Sequence, residues 1–311
     1  MDQKPLKNVL GAVAALARGD LVGLPTETVY GLGADATNAD AVAKIFAAKG
    51  RPHFNPLISH VVSLEAAEAL GVFSPLARKL AKAFWPGPLS LVVARQPDCA
   101  VCDLACAGLD TIALRVPSHP LMQQVLHAFG KPVAAPSANV SGRPSPTTAS
   151  HVLEEFGDTL TLVLDGGPSL VGLESAVVAV TGDQATLLRL GGLSREALEA
   201  VTGPLLAPDA SAKAAPASPG MVLRHYSPRA PVRLNGSSAS SGEVMIGFGP
   251  DFDGADFNLS PAGDVVEAAA QLFAVLRAAD ALNPSAIVIA AIPETGLGEA
   301  IADRLRRAAD P

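Results

Sequence analysis

Aromatic and charged residues are both scarce in this chain, and long apolar runs are missing. Of its 311 residues, 4% are aromatic and 17% are charged, whereas 49% are hydrophobic. So much apolar material excludes a chain that is disordered throughout, and small aliphatic side chains favour helices packed on a buried sheet. Apolar runs such as Leu21–Leu24 and Ala286–Ile292 are far shorter than the roughly 20 residues that a membrane span needs.

The beginning of the chain and its charge also exclude several classes of protein. Met1–Leu10 has no continuous apolar segment followed by a small-residue cleavage site, as a secretory signal would have. We therefore expect a cytoplasmic protein with no membrane contact. The net charge is −7, which disfavours tight binding to a polyanion such as tRNA or DNA. A local basic pocket for one small anionic ligand is compatible with this balance.

Cysteine is nearly absent, and its three copies, Cys99, Cys102 and Cys106, all fall in the segment CAVCDLAC. A Cys-x-x-Cys pair can present two thiolates to one metal ion. No fourth cysteine and no cluster of histidines stands near them in the sequence. We therefore favour three reduced thiols in a cytosolic loop over a metal or redox site.

The first 200 residues alternate short apolar runs with helical patterns, which is typical of one α/β domain. Asn38, Ser63 and Ser74 stand where helix N-caps are expected, and the first two helices should run to about Lys49 and Leu70. Six apolar runs predict strands: Leu21–Leu24, Leu57–Val62, Leu89–Val93, Ile112–Val116, Leu160–Leu164 and Ala176–Val180.

A linker and a second domain follow. Residues 204–220 are rich in Pro, Ala and Ser and show no buried periodicity, which is the composition of an extended linker. Beyond it, Glu243–Phe248 and Ile287–Ile292 are predicted to be strands, each followed by a helix, and Asp264 with Glu267 fits a capping box. We predict a first domain at 1–204, a linking segment at 205–230 and a small βαβα domain at 231–311.

The first segment with functional chemistry is PTETVYGLGADA, Pro25–Ala36, where a strand ends in a turn with three hydroxyls, one carboxylate and two glycines. Gly31-x-Gly33-x-x-Ala36 partly fits a dinucleotide fingerprint. The acidic residue that should follow about 20 positions later is replaced by a basic Lys-Gly-Arg. A glycine-rich turn between strand and helix remains the plainer interpretation.

Two further segments carry polar groups in loops. In KGRPHFNPLISH, Lys49–His60, a helix delivers two cations into a proline-bracketed loop, either as solvated helix-end charges or as a phosphate grip. In APSANVSGRPSPT, Ala135–Thr147, hydroxyls and an amide crowd one loop, either for turn chemistry or as an anion-binding nest. Its polar members are Ser137, Asn139, Ser141 and Ser145.

Single polar residues also stand near the ends of apolar runs. Thr111 and Arg115 belong to TIALRVP, Ser175 to LESAVV and Arg189 to LLRLGG. Such residues are commonly solvated, but strand ends in open α/β sheets are also where ligands bind. The sequence has no Walker loop, no kinase signature and no Ser-His-Asp order, which removes the common nucleotide-binding and hydrolase interpretations.

In this order, PTETVYGLG, KGRPHFNPLISH, LRVP, PSAN, SGRPSPT, LESAVV and LLRLGG resemble the motifs of the threonylcarbamoyl-AMP synthase family. SPGMVLRHYSP, Ser218–Pro228, resembles the segment that joins the catalytic and accessory domains of the longer members. The resemblance covers essentially the whole chain. It implies an α/β fold with a YrdC-like twisted mixed sheet around an open cavity, and a small Rossmann-like second domain.

The resemblance also implies a reaction. L-threonine, bicarbonate and ATP would be condensed to threonylcarbamoyl-AMP and pyrophosphate for threonylcarbamoyladenosine modification of tRNA, with magnesium accompanying ATP. A downstream threonylcarbamoyl transferase would receive the product, and stable direct tRNA binding is not expected. Such a transfer depends on positioning and charge stabilisation, so no protein nucleophile is required.

Residue roles follow from the same resemblance. Lys49 and Arg51 are predicted to be catalytic at the phosphates, and Glu27 to orient its turn. The residues predicted to bind ATP are Arg51, Asn55, Thr111, Ser137, Asn139, Ser145, Arg189 and Tyr226. The residues predicted to bind threonine are Thr28, His60, Arg115 and Ser175. No protein-held metal is expected. Ser218–Pro228 is predicted to be a lid over the nucleotide; the alternative is that it starts the second domain with Tyr226 packed in an interface.

Two other functions are also suggested by parts of the sequence. A non-catalytic RNA-binding module would suit a concave YrdC-like surface, but the acidic net charge weighs against it. The related carbamoyl-transfer domain of hydrogenase maturation proteins occurs in chains with added acylphosphatase and zinc-finger regions. This sequence has neither the length nor the cysteines for them.

Overall fold

The computed structural model describes residues 4–51, 55–208, 226–252 and 254–309. These residues form two sheets, each covered by helices: a ten-stranded mixed sheet within residues 4–208 and a four-stranded parallel sheet within residues 226–309. The predicted α/β class is confirmed. No helix among the described residues has the length and apolar character that crossing a bilayer would demand.

The larger sheet has the order β10-β9-β5-β6-β3-β7-β2-β1-β8, and β4 pairs with β5 beside this path. Three neighbouring pairs are parallel (β3 with β6, β5 with β9, β1 with β8), and the other pairs of the sheet are antiparallel. Its strands are β1 (Val22–Leu24), β2 (Gly31–Asp35), β3 (Ile58–His60), β4 (Gly71–Val72), β5 (Leu89–Arg95), β6 (Thr111–Arg115), β7 (Val133–Ala134), β8 (Leu162–Val163), β9 (Ala176–Thr181) and β10 (Gln184–Arg189).

Side-chain alternation gives the central strands two different faces. Leu91 and Leu114 belong to the main apolar core, whereas Val92 and Ala113 form a small separate cluster with Ile58. The helices of this part are α1 (Lys4–Ala17), α2 (Ala39–Lys49), α3 (Leu64–Glu68), α4 (Pro75–Phe84), α5 (Pro120–Phe129), α6 (Ala149–Phe156) and α7 (Arg195–Thr202).

The predicted helix starts are confirmed because each cap is a local feature of the sequence. The side chains of Asn38, Ser63 and Ser74 accept hydrogen bonds from the first-turn amides of α2, α3 and α4. Helix α2 ends at Lys49 because Gly50 adopts the left-handed conformation, with φ of 58°, which glycine accepts without a steric penalty.

The glycine-rich part of PTETVYGLGADA corrects the interpretation that both glycines lie in a turn. Residues 31–35 are the fully buried strand β2, which pairs with β1 and β7. A Cβ at Gly33 would collide with the side chain of Leu24, so the missing side chain allows close approach of β1. The turn is confined to the residues before Gly31.

The second unit is more extensive than the predicted βαβα pattern. Its parallel sheet has the order β11-β14-β12-β13, and two of these strands, β11 and β13, were not predicted. A short 3-10 helix at Pro250–Phe252 follows β12. The remaining elements are β11 (Val232–Leu234), β12 (Val244–Gly247), β13 (Phe257–Asn258), α8 (Val265–Ala281), β14 (Ile287–Ile289) and α9 (Gly298–Ala309).

The capping box predicted at the start of α8 is half correct. Asp264 caps the helix by accepting a hydrogen bond from the amide of Val266. Glu267 does not reach back to the amide of Asp264, because the hydroxyl of Ser260 accepts from that amide and itself donates to Glu267. A serine four residues before the cap therefore takes the place of the direct bond.

The predicted linking segment is described only at its ends. Residues 209–225, which include Arg224 and His225 of the predicted lid, lie outside the described residues. At the near end, Leu206 bridges Thr186, so the chain continues along β10 before it leaves the sheet. At the far end, Tyr226 is buried and packs on Phe273 of α8.

Candidate functional site

A cavity lies at one edge of the larger sheet, where several strand ends meet. His60 ends β3, Arg115 ends β6 and Arg189 ends β10. Ser175 immediately precedes β9, which runs antiparallel to β10, so it reaches the same edge. The described residues that line the cavity are Thr28, Val29, Arg51, Ile58, His60, Arg115, Ala135, Pro136, Ser137, Glu174, Ser175, Arg189 and Tyr226.

The turn between β1 and β2 supplies the first wall and holds Arg115. The guanidinium of Arg115 donates to Glu27 Oε1 at 2.6 Å, to Thr28 Oγ1 at 2.8 Å and to the Gly87 carbonyl at 3.1 Å. Burial raises the pKa of Glu27, but the charge and hydrogen bond of Arg115 bring it below its usual value, so the carboxylate stays ionised. Glu27 therefore orients Arg115, and through it this turn.

Two more arginines face the cavity from different elements. Arg51, just after α2, donates from Nε to the Asn55 carbonyl at 3.3 Å and from Nη2 to the Pro56 carbonyl at 3.1 Å. Burial and the neighbouring charge of Arg189 lower the pKa of Arg51 to about 10, which leaves it protonated at neutral pH. Arg189 donates to the carbonyl and the hydroxyl of Ser175 at 2.8 and 3.2 Å.

His60 is held in its neutral form. Burial, followed by the nearby positive charge of Arg115, lowers the pKa of His60 from 6.5 to about 3. Its Nδ1 is buried and has no hydrogen-bond partner within the described part of the chain. A neutral imidazole can accept or donate one hydrogen bond to a bound ligand.

The loop from Pro136 to Thr147, here called the serine loop, forms the opposite wall. Lys49 Nζ donates to the Ser137 and Asn139 carbonyls, both at 2.5 Å, so a buried amino group sits behind the loop. Burial, followed by the charge of Arg51, lowers the pKa of Lys49 well below its usual value. The Asn139 side-chain amide donates to the Val140 and Arg143 carbonyls, both at 2.9 Å. These bonds curl the serine loop and present Ser137 to the cavity.

Glu174 joins the cavity to the second unit. Its Oε1 accepts from the Ser145 hydroxyl at 2.5 Å, and its Oε2 accepts from Arg304 Nε of α9 at 3.2 Å. Burial raises its pKa, but Arg304 and Arg189 bring it below the usual value. Arg304 also lies over the Tyr226 ring, 5.2 Å from its centroid. A residue of the second unit thus fixes a carboxylate of the cavity wall.

Most of the predicted site residues come together. Eight line the cavity: Thr28, Arg51, His60, Arg115, Ser137, Ser175, Arg189 and Tyr226. Lys49 lies behind the serine loop, Asn139 and Ser145 belong to the loop without lining the cavity, and Asn55 lies behind Arg51. Lys49 therefore contacts loop carbonyls, and its predicted action on phosphate stays a prediction.

Thr111 is the one predicted residue that stands apart. It begins β6, whereas Arg115 ends that strand, which separates their backbones by about 13 Å at 3.3 Å per residue. Alternation places both on the same face of the sheet, together with Ala113 between them. Thr111 is thus in line with the cavity but does not line it.

Sequence reasoning missed Glu174, Arg304 and the apolar wall residues Val29 and Ile58. Glu174 stands inside the quoted motif LESAVV, and its place beside Ser175 was the available signal. Nothing local marks Arg304 as a support of the cavity wall, because Glu174, its partner there, lies 130 residues earlier. An ion pair between two domains has no signature in one sequence.

The three cysteines are not among the described residues that line the cavity, and their surroundings do not activate the thiols. Cys106 is buried, and Cys99 and Cys102 are half-buried. Burial raises the pKa of the Cys106 thiol to about 11 and also raises that of Cys102. A raised pKa disfavours the thiolate that metal binding and redox chemistry need.

Comparisons with known proteins agree with this geometry. Residues 14–191 match the family described as "Telomere recombination", and residues 193–310 match "Threonylcarbamoyl-AMP synthase, C-terminal domain". Threonylcarbamoyl-AMP synthases of Bacillus subtilis and Pyrococcus abyssi are each 40% identical, over 96% of this chain and 92% of their own length.

A solved structure extends the agreement to three dimensions. The crystal structure of P. abyssi Sua5 complexed with L-threonine is similar with a TM-score of 0.89 and 38% identity, covering 98% of this chain and 94% of that chain. The predicted fold and the predicted family are therefore confirmed. By both of its parts and over nearly its whole length, this chain belongs to the threonylcarbamoyl-AMP synthase family.

Proposed function

We propose that the cavity binds L-threonine and ATP together and, with bicarbonate, forms threonylcarbamoyl-AMP and pyrophosphate. The amine of threonine attacks bicarbonate, and water leaves as the carbamate forms. A carbamate oxygen then attacks the α-phosphorus of ATP, and pyrophosphate leaves. Membership of the synthase family and the threonine complex of the P. abyssi relative support this reaction.

One observation carries the proposal: three buried arginines, Arg51, Arg115 and Arg189, face a single cavity. Burying like charges together is unfavourable unless an anion compensates them. The proposed substrates bring a carboxylate, a carbonate and a triphosphate to this place. Charge that develops on the phosphate oxygens is then stabilised by groups already fixed in position, which is the main source of rate in such transfers.

We assign the threonine half of the site to Thr28, His60, Arg115 and Ser175. A guanidinium has five N–H donors, and Arg115 uses three of them in hydrogen bonds to Glu27, Thr28 and Gly87. Two donors are left for the substrate carboxylate, and the neutral His60 adds a hydrogen bond without adding charge. Glu27 keeps the fork of Arg115 pointed at the cavity.

We assign the nucleotide half to Arg51, Arg189 and the serine loop. Arg51 and Arg189 are close enough that the charge of Arg189 lowers the pKa of Arg51, so a phosphate between them would relieve their repulsion. Lys49 holds the curve of the serine loop from behind. Thr111, which is in line with the cavity, would then contact the far end of a long ligand such as ATP.

Magnesium enters this proposal as part of the ATP complex. Glu174 is the carboxylate among the described cavity-lining residues, and both of its oxygens already accept hydrogen bonds. The lining residues therefore do not fit a metal site of their own. The ion would be held by phosphate oxygens and water, as is usual for magnesium with nucleotides.

The proposal also covers the fate of the product, the place of the reaction and a lid over the cavity. The product would feed a threonylcarbamoyl transferase that modifies tRNA, in the cytoplasm, without stable binding of tRNA to this chain. Ser218–Pro228 would act as a lid, because the carbamate and the mixed anhydride both decay in water and need shielding. Tyr226, which lines the cavity and packs against α8, supports both the lid and an interface role.

The test is release of pyrophosphate from ATP by the full-length chain, with single components omitted. We expect release that requires both bicarbonate and threonine, and a product with the mass of threonylcarbamoyl-AMP. Alanine and valine in place of threonine serve as controls for amino acids without a hydroxyl. Release that is independent of any amino acid would contradict the proposal.

A further inference from the structure

The serine loop carries three of the residues assigned above to ATP, and it is held from two directions. On the side of the first unit, Lys49 binds two of its carbonyls, and the Tyr30 amide donates to the Pro146 carbonyl at 2.8 Å. Backbone hydrogen bonds also join the loop to Leu32, Lys49 and Ser169 of the first unit. Further contacts come from the second unit.

Arg304 of α9 reaches the end of the loop through one carboxylate. It donates to Glu174 Oε2 at 3.2 Å and to the Leu190 carbonyl at 2.6 Å. The other oxygen of Glu174 accepts from Ser145. Arg304 is fully buried and Glu174 is 5% exposed, so this chain of bonds is shielded from water and is stronger than a surface pair.

Arg277 of α8 reaches the middle of the loop in two ways. Its Nη2 donates directly to the Pro144 carbonyl at 2.5 Å and also to Glu155 Oε1 at 3.0 Å. The second oxygen of Glu155 accepts from the amide of Val140 at 3.2 Å. The side chain of Glu155 is 3% exposed, so its position depends on these partners.

The second unit also contacts the serine loop through its backbone. The amide of Ser227, at the start of the second unit, donates to the Gly142 carbonyl at 2.7 Å. Val140, Gly142, Pro144 and Ser145 are thus all tied, directly or through one carboxylate, to residues beyond 226. Residues of the second unit therefore help, beside those of the first, to set the shape of the segment between Asn139 and Ser145.

We infer that Arg277 and Arg304 are positioning residues, which fix the serine loop in the shape that receives ATP and so set the affinity for the nucleotide. This inference rests on the proposed function, because the loop's ligand is ATP only if that function holds. Neither arginine lines the cavity, so both act through the loop and not on substrate. The described hydrogen bonds that hold Arg115 in the threonine half go to Glu27, Thr28 and Gly87, and neither arginine takes part in them.

The experiment compares Arg277→Gln and Arg304→Gln with Arg195→Gln in the full-length chain. Arg195 of α7 also bridges the two units, with Nη2 at 2.7 Å from Glu299 Oε1 of α9, but it does not touch the loop. We expect the first two variants to raise the KM for ATP about tenfold, since a charge-assisted bond contributes about 1.4 kcal/mol or more. The KM for threonine should stay within about twofold in all three, as a positioning role for the loop requires.

Arg277→Lys gives the conservative comparison. A lysine can reach Glu155 but cannot bind it and Pro144 with a rigid fork, so its KM for ATP should lie between those of wild type and Arg277→Gln. An equal rise in both KM values, or the same rise in Arg195→Gln, would overturn the inference in favour of general loosening of the two units.

A second measurement does not depend on activity or on the identity of the ligand. Amide hydrogen exchange in the peptide that contains Val140 and Gly142 should quicken in Arg277→Gln and not in Arg195→Gln, because exchange reports local opening. Arg304 is fully buried, and the exchange of distant strands such as β5 shows whether its variant is still folded. Unchanged exchange in the serine loop of Arg277→Gln overturns the inference. If the exchange does change but the wild-type chain shows no threonine-dependent pyrophosphate release, the proposed function alone is overturned.

Discussion

The two units of the molecule differ sharply in what they bury. In the larger sheet, arginine, lysine, histidine and glutamate side chains are buried side by side around one cavity, with Lys49, Arg51 and Arg189 all less than 10% exposed. In the second unit, two polar or charged residues among those described are buried, Ser260 and Arg304. The rest of its core is apolar.

The contrast shows that the unfavourable burial of charged groups is concentrated at the cavity of the first unit. Burying a charge is unfavourable unless it is paired and hydrogen-bonded, so a cluster of buried cations marks a site and not a stabilising core. Apolar packing such as that of Leu272 and Phe273 in α8 carries no such cost. Arg304 is the exception in the second unit, and of its two carboxylate partners Asp303 belongs to the same unit and Glu174 to the first.

Removing the second unit should have the largest effect. A chain that ends at Pro208 keeps the pairing of Leu206 with β10 and retains the apolar core of the larger sheet, so we expect it to fold. It loses Arg304, Arg277 and Tyr226, and we expect it to lose threonine-dependent pyrophosphate release and to bind ATP more weakly.

Circular dichroism and a thermal melt of the shortened chain show whether it has folded. Calorimetric titration with ATP then measures the binding loss. Full activity in a folded chain of this length would mean that the second unit and the linking segment are dispensable for the chemistry.

The next effect concerns one cation of the buried cluster. Arg51→Ala should lower kcat by about two to three decades, or about 3 to 4 kcal/mol, because a charge-assisted contact that strengthens in the transition state is lost. Arg78→Ala is the matched control, since Arg78 forms an exposed ion pair with Glu68 away from the cavity. Turnover of Arg51→Ala near that of the control would contradict the phosphate assignment.

A milder change separates the two halves of the site. Arg115→Lys keeps the charge but loses the planar fork that matches a carboxylate, and we expect the KM for threonine to rise about tenfold with little change for ATP. Arg95→Lys, at an ion pair with Asp103, controls for loss of a guanidinium. If the ATP affinity falls and the threonine affinity does not, Arg115 belongs to the nucleotide.

The smallest effect at neutral pH is expected at His60. Between its unfolded pKa of 6.5 and its folded pKa of about 3, the unfolded chain binds a proton that the folded chain does not. Stability therefore falls as the pH falls through this window. His60→Gln should remove up to about 1.4 kcal/mol per pH unit from that slope.

Urea unfolding between pH 4 and pH 7 measures the slope. His127→Gln, at an exposed position, is the control for losing a histidine. His151, whose pKa burial lowers to about 4, contributes a slope of the same sign in every variant and therefore cancels. An unchanged slope in His60→Gln would mean that His60 is accessible to protons in the folded protein.

How far the sequence predicts this fold depends on how local each signal is. Helix α2 was predicted to its last residue, because Asn38 and Gly50 mark its ends within the helix's own neighbourhood. Strand β2 was not predicted. A glycine is needed there because Leu24 of β1 packs against it, and the residues around the glycine do not show that contact. The two-residue strands β4 and β7 exist through their partners and have no pattern of their own.

The same distinction applies to the site. The cations and hydroxyls at strand ends were found because each stands in a recognisable segment. Glu155, Arg277 and Arg304 were not found, because their contacts join residues more than 100 positions apart. Long-range ion pairs depend on the arrangement of the two units, which the sequence of either alone does not encode.

The carboxylate of Glu174, with Ser145 and the cavity on one side and Arg304 on the other, makes the binding of ligand and the docking of the second unit two aspects of one equilibrium. Thermodynamic reciprocity requires that whatever docking adds to the affinity for a ligand at the serine loop, the ligand adds to the free energy of docking. An occupied cavity would therefore hold the two units together more firmly than an empty one, and the molecule would resist separation of its parts most during the step in which its reactive intermediates need protection.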